Sequence, residues 1–319
     1  MMKANLSKIL HTGPCSLIFG LMLTCFVASA QDHSISITID DVPNTRLSSL
    51  NYGRSDLLDS LSAWGIPFTV FINEGKVYHA DGSKGNLDLL AAWINHPKST
   101  AGNHTYNHSR YSEVGYDSFI SDVEKGRQLT DSILVTSGTS LTLFRFPFND
   151  LGGDSLQHVR IYNYFDSIRT RIAPFTIESS DWMFSFVYER YLKRGEEELA
   201  DSLGRAYVRY TLAQVEHFQS LTQAVYGRNV RHIYLCHDNL LNTHYLGMIV
   251  RGFEAMGFEI DPLDYSMSDA VYQHHPPYYK KWGISWLYRY MTPEERRRWI
   301  SSEPEIGNLF QEYERLVQE

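Results

Sequence analysis

Two histidines four residues apart, His104 and His108, are the first residues in this sequence whose types and spacing suggest chemistry. On a helix, this spacing would place both imidazoles on one face, where they could share a cation. Two histidines and one carboxylate leave coordination positions open for water, as in catalytic rather than structural zinc-type sites. A histidine pair of this kind also arises by chance among surface histidines, so it needs support from the rest of the chain.

That support comes from ionisable residues at the ends of the predicted strands. These residues are the adjacent aspartates Asp40 and Asp41, then Arg145, then Asp181, which a tryptophan follows, and His237. Taken alone, an Asp-Asp pair is more often a turn or a helix cap, and a lone aspartate more often pairs with an arginine. Together they offer carboxylate, guanidinium and imidazole groups for metal binding and proton transfer.

The elements that must position these residues follow from the hydrophobic pattern. Short apolar runs, rich in β-branched and aromatic residues, predict strands at residues 35–41, 68–73, 143–148, 175–181 and 232–237. Helical patterns lie between them, at residues 57–64, 87–94, 196–226 and 241–256. This alternation predicts an α/β fold with a parallel sheet or barrel. In such folds functional residues gather at the carboxyl ends of the strands, where the candidate residues lie.

The ordered set of motifs resembles a known family. The motifs in this chain are Thr38-Ile39-Asp40-Asp41, His104-Thr-x-x-His108, Arg145-x-Pro147-Phe148, Asp181-Trp182 and Leu235-x-His237. This set is similar to the five motifs of the polysaccharide deacetylase family, the NodB-homology domain of carbohydrate esterase family four. The motifs appear in the family's order and span residues 34 to about 264.

The resemblance implies a distorted (β/α) barrel that removes acetyl groups from sugars with one divalent metal ion, most often Zn²⁺, with Co²⁺ or Ni²⁺ as alternatives. By motif, Asp41, His104 and His108 resemble the metal ligands and Asp40 the catalytic base. The remaining motif residues would surround the reacting group. Arg145 and Asp181 would orient the base, Trp182 would form a wall of the acetyl pocket, the backbone N–H of Phe148 would lie at the oxyanion position, and His237 would be the general acid.

This assignment is chemically coherent. A metal ion acidifies its bound water and polarises the acyl oxygen. Asp40 would take the proton of the water, and an Arg145–Asp181 pair would hold the orientation of that carboxylate. A poor amine leaving group needs a proton donor, and the imidazole of His237 suits that task near neutral pH.

Several residues depart from the family pattern. Ser109 stands where the second motif usually has proline, Phe148 where tyrosine is common, and Glu178 where the fourth motif often has an earlier aspartate. A long helical insert, about residues 183–229, separates the fourth and fifth motifs. These departures bear on the substrate more than on the chemistry.

The sequence also predicts the organisation of the chain. Residues 1–30 resemble a signal peptide, with Lys3 and Lys8 before an apolar stretch and Ala28-Ser29-Ala30 as the cleavage site. An uncleaved anchor is the alternative. The prediction is a catalytic domain over residues 31–273 and an aromatic, basic and helical extension over residues 274–319. We therefore expect export to the periplasm or the exterior, without stable membrane insertion.

Charge and motif content exclude other functions. The net charge of −8 and the absence of a basic run argue against nucleic-acid binding. Cys236 cannot act with His237 as a nucleophile pair, because neighbours on a strand point to opposite faces. The expected partner is an acetylated glycan, and the oligomeric state stays open. Two alternatives remain: an amidohydrolase for a small non-sugar amide, and a carbohydrate-binding relative without turnover.

Overall fold

A computed structural model describes residues 33–79 and 82–319 of the chain. The predicted signal peptide lies outside the described residues. The strands, numbered along the chain, are β1 (Ser34–Val42), β2 (Phe68–Ile72), β3 (Ser99–Asn103), β4 (Leu143–Phe144), β5 (Arg171–Ile172), β6 (Ile177–Glu178), β7 (His232–His237) and β8 (Glu259–Ile260).

The strands form one parallel sheet in the order β5-β4-β3-β2-β1-β7-β6, and β8 pairs with the start of β1. The order ends at β5 and β6 without a ladder between them in the described residues, so the sheet is a half-barrel. The predicted distorted (β/α) barrel is confirmed in this open form. Because all paired strands are parallel, their carboxyl ends lie at one edge of the sheet.

Helices surround the sheet. They are α1 (Thr45–Leu50), α2 (Asp56–Trp64), α3 (Gly75–His79), α4 (Ser83–Asn95), α5 (Tyr111–Val114), α6 (Tyr116–Lys125), α7 (Gln128–Thr136), α8 (Ser155–Ser167), α9 (Asp181–Lys193), α10 (Glu197–Tyr226), α11 (Leu240–Ala255), α12 (Leu263–Met267), α13 (Trp286–Arg289), α14 (Pro293–Ile300) and α15 (Leu309–Val317). Short 3-10 turns lie at Pro147–Asn149 and Ala270–Tyr272. Among the described residues, no helix combines the length and the apolar character that a membrane span requires.

The central strands match their predictions because their apolar runs are buried on both faces. β1 lies between β2 and β7, and nearly all of its residues are buried, as are those of β7. In β1 the buried residues alternate serine or threonine with isoleucine, whereas residues 233–236 of β7 form the continuous apolar run that is typical of a buried parallel strand. The predicted long helix at residues 196–226 is confirmed as α10.

Two predicted strands are shorter than expected. The run at residues 143–148 pairs only over β4, because Pro147 has no N–H to donate and Phe148 is left-handed with φ 57°. The run at residues 175–181 pairs only over β6. Ser180 is left-handed with φ 51°, and Asp181 is the first residue of α9 rather than a strand end.

The C-terminal helices share the main core. Leu287, Tyr288, Leu309 and Leu316 are buried in the same hydrophobic cluster as the central strands. α14 begins with a capping box, in which Thr292 and Glu295 exchange hydrogen bonds. The predicted extension therefore contributes to the core of the domain. The predicted domain boundaries themselves stay predictions.

Candidate active site

The carboxyl ends of the central strands open into a cavity of about 950 Å³. Asp40 and Asp41 both line it, although neighbours on a regular strand point to opposite faces. The register of β1 with β2 shifts between Ile39 and Val42, and Asp41 has a left-handed φ of 68°. This irregularity turns both carboxylates toward the cavity. Pairing with β7 places Asp40 opposite His237.

His104 and His108 lie in the loop that follows β3, so the expectation of a helical face is wrong. Thr105 and His108 have left-handed φ values of 66° and 58°, and the two imidazole centroids are 4.9 Å apart. The Asn103 side-chain oxygen accepts a hydrogen bond from the Thr105 N–H at 2.7 Å. The Asn73 amide donates to the carbonyls of His104 and Thr105. Side-chain amides thus hold the loop that brings the imidazoles together.

The candidate metal ligands fit a divalent cation. One ligand atom from each of Asp41, His104 and His108 lies within 4.8 Å of the others. Nδ1 of His104 lies 2.7 Å from the carbonyl oxygen of Arg145. A proton on Nδ1 would donate this bond and leave Nε2 free for a metal. Oδ1 of Asp41 is buried without a hydrogen-bond partner and lies 3.4 Å from His108 Nε2. An orphaned carboxylate oxygen facing imidazole nitrogens is suited to a cation.

The electrostatics of the three residues agree with that role. Burial lowers the pKa of His104 and of His108, so both are neutral near neutral pH, as metal ligands must be. Burial alone would raise the pKa of Asp41, but Lys76 and the histidines hold it below its usual range. Nζ of Lys76 donates to the Asp41 carbonyl at 2.6 Å and lies 3.5 Å from Asp41 Oδ2. Lys76 could not be identified from the sequence, because a single lysine after a strand forms no recognisable motif.

Asp40 is buried beside Arg145. Nη1 of Arg145 lies 3.5 Å from Asp40 Oδ1, and Nη2 donates to Thr38 Oγ1 at 3.2 Å and to the Pro174 carbonyl at 3.0 Å. Burial raises the pKa of Asp40 to about 6, and the guanidinium opposes part of that rise. A carboxylate with this pKa is ionised at neutral pH and is basic enough to accept a proton.

Asp181 pairs with His237 and not with Arg145, so the predicted Arg145–Asp181 pair is wrong. Oδ1 of Asp181 lies 2.6 Å from His237 Nδ1. Oδ2 accepts hydrogen bonds from the His237 N–H at 2.8 Å, from Asn239 at 3.0 Å and from Asn242 at 2.6 Å. Burial alone would lower the pKa of His237, but the Asp181 carboxylate raises it to about 10. His237 is therefore a protonated imidazolium that can donate a proton.

Two asparagines that hold Asp181, Asn239 and Asn242, could not be identified from the sequence either. Asn239 is the N-cap of α11, where its side chain accepts a hydrogen bond from the Asn242 N–H at 2.8 Å. An asparagine before an apolar periodic run is a signal for a helix start. This signal predicts where α11 begins, but it does not predict that Asn239 contacts Asp181.

Phe148 and Trp182 line the cavity and are 46% and 48% exposed. The ring of Phe148 lies 4.6 Å from the His108 ring, and the Arg110 guanidinium lies 3.9 Å from the Phe148 centroid. Trp182, on α9, contacts the ring of Tyr313 edge to face at 5.5 Å. Both aromatic side chains are available to a ligand. The oxyanion role of the Phe148 N–H stays a prediction.

The family model described as polysaccharide deacetylase matches residues 28–164. This part of the chain is similar to the polysaccharide deacetylase family. The matched residues include Asp40, the candidate metal ligands and Arg145. Asp181 and His237 lie beyond the matched residues, and the fold brings His237, with Asp181 bonded to it, to the same cavity. No curated protein matches the chain at a significant level.

Solved structures from the deacetylase family resemble the fold at low identity. The polysaccharide deacetylase Bc1974 from Bacillus cereus is 17% identical over 72% of this chain and 91% of that chain, with a TM-score of 0.51. A mutant of BA3943 from Bacillus anthracis, described as a CE4 family pseudoenzyme with restored enzymatic activity, is 19% identical over 74% of this chain and 68% of that chain, with a TM-score of 0.47. A family 4 carbohydrate esterase from Streptomyces lividans is 15% identical over 74% of this chain and 97% of that chain, with a TM-score of 0.46. At these identities, the match to Bc1974 supports the fold alone.

Proposed function

We propose that this protein is an exported, metal-dependent hydrolase that removes acetyl groups from an acetylated carbohydrate, either an N-acetyl sugar or an O-acetyl glycan. One observation carries the proposal. The candidate metal ligands, the Asp40–Arg145 pair and the Asp181–His237 pair lie at strand ends, in loops and at the start of α9 around the same cavity of about 950 Å³. Ligands, base and acid in one cavity are the parts that metal-assisted acyl hydrolysis needs.

Asp41, His104 and His108 would hold the ion, and two imidazoles with one carboxylate suit Zn²⁺, with Co²⁺ and Ni²⁺ as alternatives. When bound, the ion would supply an acidified water and polarise the acyl oxygen. The family's dependence on metal and the geometry of the three ligands support this part of the proposal.

The proton transfers belong to the chain's own residues. Asp40 accepts a proton from the attacking water, and Arg145 keeps that carboxylate oriented through the 3.5 Å contact. His237 donates a proton to the leaving nitrogen or oxygen, while Asp181 stabilises the imidazolium and holds the ring by Nδ1. Phe148 and Trp182 border the position of the acyl group.

The test compares two adjacent carboxylates. In Asp40→Asn, the amide keeps the shape of the side chain but cannot accept the proton, so metal is retained and acetate release falls by roughly 10²–10⁴-fold. Asp41→Asn should lose both metal and activity, because a ligand is lost. The measurements are metal content, thermal melting and acetate release from acetylated oligosaccharides for both variants.

The outcomes separate the alternatives. Near-normal turnover in Asp40→Asn would remove the base from the mechanism, and loss of metal in that variant would mean that the two carboxylates are assigned the wrong way round. Acetate release from small amides but not from glycans would favour an amidohydrolase. Glycan binding without metal and without acetate release would favour a non-catalytic relative.

A further inference from the structure

The turn that follows β2 contacts both segments that carry the candidate metal ligands. Its sequence is Asn73-Glu74-Gly75-Lys76, and it lies outside the five motifs of the family. The Asn73 N–H donates to the carbonyl of Val42, the residue after Asp41, at 2.9 Å. The Asn73 side-chain amide donates to two carbonyls of the loop after β3. The turn therefore joins the end of β1 to the loop that holds both imidazoles.

Glu74 and Gly75 fix this turn from two sides. The buried Glu74 carboxylate accepts hydrogen bonds from two backbone N–H groups in the first turn of α7, at 2.7 and 3.1 Å. The Gly75 N–H donates to the Tyr106 carbonyl at 3.1 Å, and a β-carbon at Gly75 would overlap that carbonyl oxygen. Because only glycine permits this approach, the backbone that carries Lys76 lies directly against the ligand loop.

The side chain of Lys76 reaches Asp41 from this fixed backbone. Nζ of Lys76 donates to the Asp41 carbonyl at 2.6 Å and lies 3.5 Å from Asp41 Oδ2. The other carboxylate oxygen, Oδ1, lies 3.4 Å from His108 Nε2 and 3.8 Å from His104 Nε2. The two oxygens of one carboxylate therefore have different surroundings. Oδ1 faces the imidazoles, and Oδ2 faces an ammonium.

These surroundings bear on the number of oxygens that Asp41 can offer to a metal ion. A bidentate carboxylate brings both of its oxygens close to the ion. At Asp41 that arrangement would bring the ion toward the Lys76 ammonium, and two cations repel each other. Binding through Oδ1 alone leaves Oδ2 to the ammonium. The hydrogen bond to the Asp41 carbonyl also holds the left-handed backbone, with φ 68°, that aims this side chain into the cavity.

We propose that Lys76 is a positioning residue that limits Asp41 to one metal-binding oxygen, and that it thereby sets the preference of the site for Zn²⁺ over Mn²⁺. This rests on the metal site of the proposed function. Zn²⁺ accepts four ligands and binds imidazole well, whereas Mn²⁺ favours six ligands that are mostly oxygen. Two nitrogens and one oxygen from the chain therefore serve Zn²⁺ better than Mn²⁺.

The test measures the dissociation constants of Zn²⁺ and Mn²⁺ for wild type, Lys76→Met and Lys76→Arg by competition with a chromophoric chelator. Lys76→Met replaces the ammonium by an apolar chain of similar length, so Oδ2 becomes free to bind the ion. We expect the ratio of the Mn²⁺ to the Zn²⁺ dissociation constant to fall by roughly tenfold in this variant. Lys76→Arg keeps a cation and hydrogen-bond donors, so it should retain most of the wild-type ratio.

The matched control is Lys125→Met. The Lys125 ammonium lies 3.7 Å from the centroid of the Tyr106 ring, which belongs to the same ligand loop. This variant removes a nearby positive charge and leaves the contact between Lys76 and Asp41 in place. Its ratio of dissociation constants should equal that of the wild type.

Visible spectra of the Co²⁺-loaded proteins give a second measurement. A further oxygen ligand moves Co²⁺ from four or five ligands toward six, and this change weakens its visible absorption bands. We expect weaker bands in Lys76→Met than in the wild type. Lys76→Arg and Lys125→Met should keep the bands of the wild type.

The outcomes separate this role from the proposed function. An unchanged ratio and an unchanged spectrum in Lys76→Met would overturn the role of Lys76 and leave the metal site and the deacetylase function intact. An equal shift in Lys125→Met would also overturn it, because loss of charge alone would then explain the effect. If wild type binds metal but releases acetate from no glycan, the proposed function fails and the metal measurements still decide about Lys76. If wild type binds no divalent cation, both proposals fail.

Discussion

Replacing Asp181 by asparagine should remove the proton donor from the site without removing its shape. Oδ2 of Asp181 accepts three hydrogen bonds, from the His237 N–H, Asn239 and Asn242. In Asp181→Asn the amide oxygen must take this position, because only an oxygen can accept from these donors. The amide NH₂ then faces His237 Nδ1, which must accept a hydrogen bond instead of donating one. The protonated imidazolium is therefore disfavoured.

The magnitude follows from the pKa of His237. With a pKa of about 10, His237 is protonated in nearly every wild-type molecule at pH 8. Burial lowers the pKa of this imidazole, so without the Asp181 charge the pKa should fall to its ordinary value of about 6.5 or below. A group with that pKa is protonated in about 3% of molecules at pH 8, so kcat/KM should fall about 30-fold there. The loss should shrink about tenfold per pH unit as the pH falls toward 6.5.

The assay is the pH profile of kcat/KM from pH 5 to pH 10 on one acetylated oligosaccharide. Both proteins should share the acidic limb, because it reports Asp40, whose pKa is about 6. Only the alkaline limb of the Asp181→Asn profile should move, and it should move to lower pH by several units. The matched control is Glu178→Gln. Its carboxylate lines the same cavity but accepts a hydrogen bond from the Ser180 N–H at 2.6 Å, so its alkaline limb should move by less than about one unit. A loss in Asp181→Asn that is equal at every pH would refute the reasoning.

Three further predictions concern metal, packing and export. His104→Ala should lose bound metal, as measured by elemental analysis, and equal metal content in both proteins would refute the ligand assignment. Metal occupancy of the wild type should fall below roughly pH 6, because protonated imidazoles cannot be ligands. Gly204→Ala should lower the free energy of unfolding, measured in urea, by roughly 1–3 kcal/mol, because the new β-carbon would overlap the ring of Tyr245. An unchanged urea midpoint would contradict the close packing of Gly204 against Tyr245. N-terminal sequencing of exported protein should begin at Gln31, and material that retains Met1 in the membrane fraction would oppose cleavage.

The buried centre of the sheet could be predicted because its residues carry a strong local pattern. β1 alternates serine or threonine with isoleucine, and β2 and β7 are mostly apolar; the ends of β1 and β7 hold Asp40 and His237. β3 was missed, since Ser99–Asn103 consists of small and polar residues without alternation. Its position depends on pairing with β2, which is a tertiary effect that no local pattern records.

The contacts within the site could be predicted only in part. Motif order identified Asp181 and Arg145, but not that Asp181 contacts His237 and Arg145 contacts Asp40. Those partners depend on where α9 begins and on how the loops turn. The left-handed backbone at Thr105 could not be predicted either, because the residue is not a glycine. The contact of Lys76 with the Asp41 carbonyl could not be predicted, because backbone carbonyls carry no sequence signal.

During synthesis, the metal ligands are made well before the general acid, because β7 lies beside β1 in the sheet but comes late in the chain. All three candidate ligands are made by residue 108. The acid His237, at the end of β7, follows His108 by 129 residues. At a synthesis rate of about 5–20 residues per second, that interval lasts roughly 6–26 s. During it the nascent chain holds the ligands and the base but not the acid. We expect the ability to bind a cation to appear in growing chains before the ability to complete hydrolysis.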